Sequence, residues 1–275
     1  MSYLSISTWS LHRNLGPLNW TVWDDEKKSH MVQVEPQPET TTLLELPAIL
    51  ASKGFEAIEI CHFNFPRTDP DYLQELKMAC NEAGITFNTL LLDYGDITSD
   101  DEIRRNADIH LIKKWIDIAS VAGARQIRII AGDASPDNDV ALERSSEILN
   151  NLIEYANKLD VRIITENFHS LTSTADNCIQ LVKNTNEELG LIADFGNFKG
   201  ETKYKEIEKL LPYSQSVHAK PEMDSEGIPD EDEFRNSLEL LVATNYNGPI
   251  NLIYDGPGDM WEGIERVRKV VESYI

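Results

Sequence analysis

Short β-rich runs and longer stretches of helical spacing alternate along this chain. Residues 4–9, 57–61, 86–91, 126–130, 161–165, 191–193, 214–219 and 250–254 read as strands. Residues 43–52, 72–82, 101–122, 140–159, 175–184, 203–210, 231–243 and 260–274 read as helices. The joints repeat: "ASKGFEAIEI", "NEAGITFNTL" and "SVAGARQIRII" each end a helix at Gly and begin a strand shortly after. Glycine supplies the left-handed cap. Helix starts carry acids and hydroxyls, as in "TSDDEI" and "PDEDEF". Such alternation calls for parallel strands joined by crossover helices. Eight repeats in 275 residues predict an α/β fold of the closed (β/α)8 TIM-barrel type, one domain over residues 1–275. An open doubly wound sheet is the alternative, but no early G-x-G-x-x-G follows a strand.

Residues 13–42 break the rhythm, because they are too many for an ordinary connection. "NWTVWDDEKKSHMVQV" reads as a hairpin, with Trp20 and Val22 on one side and Val32 and Val34 on the other flanking a charged turn. An insertion after the first strand lies at the C-terminal mouth of the barrel. Two roles fit it equally: a lid over substrate, or a contact between copies in a homo-oligomer.

Composition narrows the partners. Hydrophobic residues make up 41% of the chain, enough for a sizeable core, yet no run is long enough to span a membrane. Lys and Arg number 25 against 47 Asp and Glu, a net charge of −22 spread along the chain. Such a surface repels nucleic acid and anionic membranes and leaves a small neutral molecule as the expected partner. The opening "MSYLSISTWS" has no basic region followed by an apolar block, so the expected location is cytoplasmic. Cys61, Cys80 and Cys178 are odd in number and widely spaced, the pattern of reduced thiols.

Candidate chemistry collects at strand ends, where side chains converge in such a barrel. The fifth, sixth and seventh strands run into "IITENFHS", "LIADFGN" and "SVHAKPE", which places Glu166, Asp194 and His218 at matching depth. Two carboxylates and an imidazole suit one divalent ion: Mn²⁺, Mg²⁺, Co²⁺ or Zn²⁺. Lys220 is two residues past His218 and shares its face. Glu59 and His62 close the second strand, His12 follows the first, and His169 lies just past Glu166; these are candidate substrate contacts. Arg128 on the fourth strand fits a salt bridge with Glu166 better than a phosphate, since no glycine-rich phosphate cradle is present.

With these motifs in place, "SISTWSLH", "ITENFHS", "IADFGNFK", "SVHAKPE" and "NGPINLIYDGPGD" together resemble the sugar phosphate isomerase/epimerase group, the xylose-isomerase-like TIM barrels. The resemblance spans nearly the whole chain. It implies one divalent metal held by Glu166, Asp194 and His218, and a fourth carboxylate from the last strand. That fourth place is Ile253 here, which cannot bind a metal. Pro221 and then Glu222 follow Lys220 where the group carries Asp, and Asn197 stands where it often carries His, a further candidate substrate contact. Asp255, two residues past Ile253, either serves the site or begins the Asp-Gly turn.

The resemblance implies an isomerase or epimerase acting on a sugar or polyol ketone through an enediolate. Glu166 is the expected base, with Lys220 stabilising charge and Asp255 or Glu222 compensating for Ile253. An inosose-type dehydratase, or a non-catalytic sugar-binding barrel, is the alternative. An endonuclease-IV-like activity is raised by fold analogy alone.

Overall fold

The computed structural model describes residues 2–275. Eight parallel strands close into a barrel: β1 (Tyr3–Ser7), β4 (Ala57–Cys61), β5 (Thr86–Leu91), β6 (Gln126–Arg128), β7 (Arg162–Glu166), β8 (Gly190–Asp194), β9 (Ser216–Ala219) and β10 (Pro249–Leu252). Pairing runs in chain order, and β1 closes the ring against both β10 and β4. The insertion forms β2 (Leu18–Asp24) and β3 (Ser29–Glu35), an antiparallel hairpin outside the barrel. Eight α-helices follow: α1 (Leu46–Ser52), α2 (Pro70–Ala83), α3 (Glu102–Ala122), α4 (Asp139–Asn157), α5 (Ala175–Asn184), α6 (Lys203–Leu210), α7 (Glu231–Ala243) and α8 (Met260–Val271). The expected (β/α)8 architecture is therefore present.

Local chemistry explains the boundaries. Side chains of Asp69, Asp101, Asn138, Thr174, Asp230 and Asp259 each accept a backbone N–H at the start of a helix. Gly84 and Gly123 end α2 and α3 at φ of 70° and 80°, the left-handed cap read from the sequence. Some strands stop short of the sequence reading. β1 ends at Ser7 because its hydroxyl accepts Trp9 N–H at 3.2 Å and starts a 3-10 turn over Thr8–Leu11. The last helical run divides into α8 and a 3-10 turn, Glu272–Tyr274.

The main core lies between barrel and helices, with Ile6, Ile58, Leu90, Ile127, Leu191 and Leu252 fully buried. The barrel interior differs, because polar side chains cross it. Asn251 donates to Ser216 (2.7 Å), and Ser216 and Thr89 both donate to Glu59 Oε1 (3.1 and 2.9 Å). Gln126 donates to Thr89 at 2.9 Å. Each hydrogen bond of this network joins side chains of different strands, which offsets their loss of water.

Hydrogen bonds are among the contacts that fasten the hairpin to the rest of the fold. Asn19 donates to the Phe65 carbonyl (3.2 Å), and His30 Nε2 meets Asp108 Oδ1 on α3 (2.7 Å). Asp108 is fully buried and also accepts Asp96 N–H at 2.9 Å. Met31, Val32 and Val34 of β3 are all exposed. Asp108→Ala strands two donors and should cost about 2 kcal/mol of stability. Hydrogen exchange should then quicken across β2 and β3 before it quickens in the barrel. Uniform quickening of both would show that Asp108 does not hold the hairpin.

Candidate active site at the barrel mouth

The C-terminal ends of β7, β8 and β9 carry Glu166, Asp194 and His218 to one point. A ligand atom from each lies within 4.8 Å of the others. Register explains the meeting: Asp194 pairs with His218 across β8 and β9, and Glu166 stands one strand further round. His218 Nδ1 is 3.4 Å from Glu166 Oε1 and 3.4 Å from Asp194 Oδ2. Its other nitrogen, Nε2, is 2.6 Å from Glu59 Oε2 in the barrel interior. A carboxylate accepts, so Nε2 donates to Glu59, and Nδ1 is the nitrogen turned to the cluster.

Each member is held from behind. Asn197 donates to Glu166 Oε1 at 3.1 Å. Arg128 Nε lies 3.1 Å from Glu166 Oε2, close enough for an ion pair but at an angle that makes no hydrogen bond. Glu166 Oε2 is thus buried with an unused lone pair. Arg128 also pairs with Asp93, which follows β5. Asn167 clamps the backbone of Asp194 from both sides, accepting its N–H (2.7 Å) and donating to its carbonyl (2.9 Å). Gly196 N–H donates to Asp194 Oδ1 at 2.6 Å, and a Cβ at Gly196 would lie 2.6 Å from Lys220 Cδ, so glycine lets the lysine pass. Lys220 Nζ then reaches Asp255 at 2.8 Å.

The electrostatics follow from burial and charge. Burial pushes the His218 pKa down, but Glu59, Glu166 and the bond to Asp194 outweigh it and raise it well above the usual value. Burial pushes the Asp194 carboxyl up; the His218 bond and charge, Lys220 and Gly196 N–H hold it below the usual range. Lys220 is pushed down by burial and raised further by Asp194 and Asp255, so it carries its charge at neutral pH. Five carboxylates, those of Glu59, Asp93, Glu166, Asp194 and Asp255, meet two permanent cations and one imidazole. Negative charge is in excess. The mixed O/N donor set, the excess charge and the unused Glu166 Oε2 all fit a divalent cation.

A cavity of about 300 Å³ opens above this cluster. Asp93, Arg128, Glu166, Asp194, Asn197 and His218 form much of its floor, with Lys220 at its side. Trp9, Trp20, Phe63, Phe168 and Ile253 supply aromatic and aliphatic walls.

The remaining sequence candidates stand elsewhere. Glu59 is sealed beneath His218 and positions it, so it does not line the cavity. His62 is buried in the 3-10 turn after β4, accepts Asp93 N–H at 3.2 Å and packs on Trp115, away from the cavity lining. His12 stacks on Trp9 with ring centres 4.3 Å apart, also outside the lining. His169 turns outward to Asp133 instead of toward Glu166. Asp255 is engaged by Lys220 and Glu222 by Lys199 (3.2 Å), and neither lines the cavity; Ile253 does, and is almost fully buried. Sequence reasoning missed Asp93, although an acid directly after the apolar run "TLLL" repeats the signal that marked Asp194.

A closed parallel barrel with an acid–imidazole cluster at its strand ends defines a class of protein that works at the barrel mouth. The chain matches the xylose isomerase-like TIM barrels over residues 47–270 and belongs to that family. No curated protein matches the sequence itself. Among solved structures, L-ribulose 3-epimerase is similar (TM-score 0.73, 15% identity, covering 100% of this chain and 94% of that one). So is the IolI protein with a bound zinc atom (TM-score 0.71, 15% identity, 99% and 98% covered). A third is the probable 3-DHS dehydratase AsbF from Bacillus anthracis (TM-score 0.68, 15% identity, 99% and 99% covered). At such identities these likenesses establish the fold.

His62 gives the site's flank a pH dependence. Burial lowers its pKa from 6.5 to about 4, Asp93 opposing and Arg128 adding to the shift. Between those values the unfolded chain binds a proton that the folded chain refuses. Stability therefore falls as pH falls through this window, by roughly 3 kcal/mol for this group. Denaturant unfolding of His62→Gln should show a shallower slope between pH 6.5 and 4 than the parent. Parallel slopes would refute the assignment.

Proposed function

We propose that this protein is a divalent-metal-dependent enzyme that moves a proton beside the carbonyl of a sugar or polyol ketone. The convergence of Glu166, Asp194 and His218 donor atoms within 4.8 Å carries this reading. These three residues hold the cation. When bound, it supplies Lewis-acid polarisation of the substrate carbonyl. Glu166 takes the proton from the carbon next to that carbonyl. Lys220, charged and at the cavity side, stabilises the negative charge of the resulting enediolate. Arg128 and Asn197 hold Glu166 in place, and the aromatic walls keep water from the reacting carbon.

The reaction is an isomerisation or epimerisation. Ile253 bears on which. An epimerisation that uses a second carboxylate on the opposite face finds an aliphatic side chain there, so a course with one base is favoured. Ile253 also supports dehydration as a second reading, since elimination beside a carbonyl needs one base, Glu166, and one acid, Lys220, to protonate the departing hydroxyl. The two part cleanly in deuterium oxide: isomerisation places deuterium in a product of otherwise unchanged composition, and dehydration releases water.

Titration should give one Mn²⁺ per chain, and His218→Ala should weaken that binding at least 100-fold. Glu166→Gln should lower turnover by 10³-fold or more while leaving the far-ultraviolet circular dichroism unchanged. Turnover that survives Glu166→Gln would remove the base from this assignment. Absence of stoichiometric metal would remove the enzyme reading altogether.

A further inference from the structure

The ring of strand ends is divided into two arcs. Four neighbouring strands, β6 to β9, present Arg128, Glu166, Asp194, and His218 with Lys220. The four remaining neighbours, β10, β1, β4 and β5, lead into Ile253, Trp9, Phe63 and Leu91. Trp20 descends from the hairpin onto Phe63, ring centres 4.3 Å apart, and extends the apolar arc upward. The polar side chains of this arc are Ser7, whose hydroxyl is engaged by Trp9 N–H at 3.2 Å and by the Cys61 thiol at 3.9 Å, and Asp93 after β5, which is drawn across to Arg128. Phe168 is the apolar exception on the polar side.

Two consequences follow for what fits. Both cations are already paired, Arg128 with Asp93 and Glu166 and Lys220 with Asp255, so no free positive charge awaits a phosphate or carboxylate. Ile253, Phe63 and Leu91 offer a hydroxyl no donor or acceptor, and Trp20 commits its indole N–H to Glu35 at 2.9 Å. A bare polyol filling the cavity would bury hydroxyls unpaired there, each weakening affinity by about tenfold. Apolar carbon or an aromatic ring placed on Trp9, Trp20 and Phe63 gains contact instead.

We propose that the site takes an uncharged polyol derivative with an apolar aryl or alkyl substituent. Its carbonyl and neighbouring hydroxyl face the polar arc, and its substituent seats on the apolar arc beneath Trp20. This deepens the proposed function and rests on the cation site described there.

Calorimetry and tryptophan fluorescence on the Mn²⁺-loaded protein test it with 2-hydroxyacetophenone, D-fructose and acetophenone. The first has both ends, the second lacks the apolar end, and the third lacks the hydroxyl. 2-Hydroxyacetophenone should bind at least tenfold more tightly than either of the others. Trp20→Ala should shrink the preference over D-fructose to about threefold, and Ile253→Ser should shrink it in the same direction without touching the hairpin. Binding of D-fructose as tight as that of 2-hydroxyacetophenone would overturn the proposal, as would a preference unchanged in both variants. Those results with Mn²⁺ still bound one per chain leave the cation site standing. Failure of Mn²⁺ to bind overturns this inference together with the proposed function.

Discussion

The order of the site depends on one buried contact, the 2.6 Å bond between His218 Nε2 and Glu59 Oε2. Glu59 is fully buried, and two hydroxyls, from Thr89 and Ser216, reach its other oxygen. That network fixes the carboxylate in the barrel interior, and the carboxylate fixes the imidazole. With Nε2 committed downward, Nδ1 has one direction left, toward Glu166 and Asp194. A buried carboxylate without such partners would be expelled or neutralised. Here hydrogen bonds from β5 and β9 and the positive ring above keep it in place.

Charge balance organises the layer above. Glu166 and Asp194 approach each other because His218 lies between them and because Arg128 and Lys220 flank them. Each flanking cation is itself tied to a second acid, Asp93 or Asp255. The result is a lattice of alternating charge with acid in excess, a setting whose donor set suits a divalent cation. Asp255 thus contributes as the outer brace of Lys220.

Backbone geometry and hydrophobic packing shape what surrounds the cluster. Gly196 permits Lys220 to cross close to the chain, and Asn167 holds the turn that carries Asp194. On the other side, Cys61, Phe63 and Leu91 pack as a separate apolar cluster with Leu18 of the hairpin, and Trp9 and Trp20 close over it. The hairpin is therefore continuous with the cavity wall. A two-stranded ribbon has little stability alone, and this one draws its stability from Phe63, the Phe65 carbonyl and Asp108.

The alternation of strands and helices, the caps at Gly84 and Gly123, and the closing of eight units into a barrel were legible in the order of residues. They arise from local propensity and from periodic burial, which neighbours in the chain enforce. Glu166, Asp194 and His218 were legible for a related reason: parallel strands in register bring equivalent positions to one depth, so matching ends in the sequence become neighbours in space. The salt bridge of Arg128 with Glu166 was expected on the same ground. The role of Glu59 as the support of His218 was not, because β4 and β9 lie across the barrel from each other and no local pattern links residues 159 apart in the chain. Nor could the sequence say that His62 and His169 turn away from the cavity, that Asp93 joins Arg128, or that Trp20 reaches Phe63. Local order determined the scaffold and the depth of each side chain; only closure of the barrel decided which side chains share a charge, because partners brought together by long-range packing leave no periodic trace.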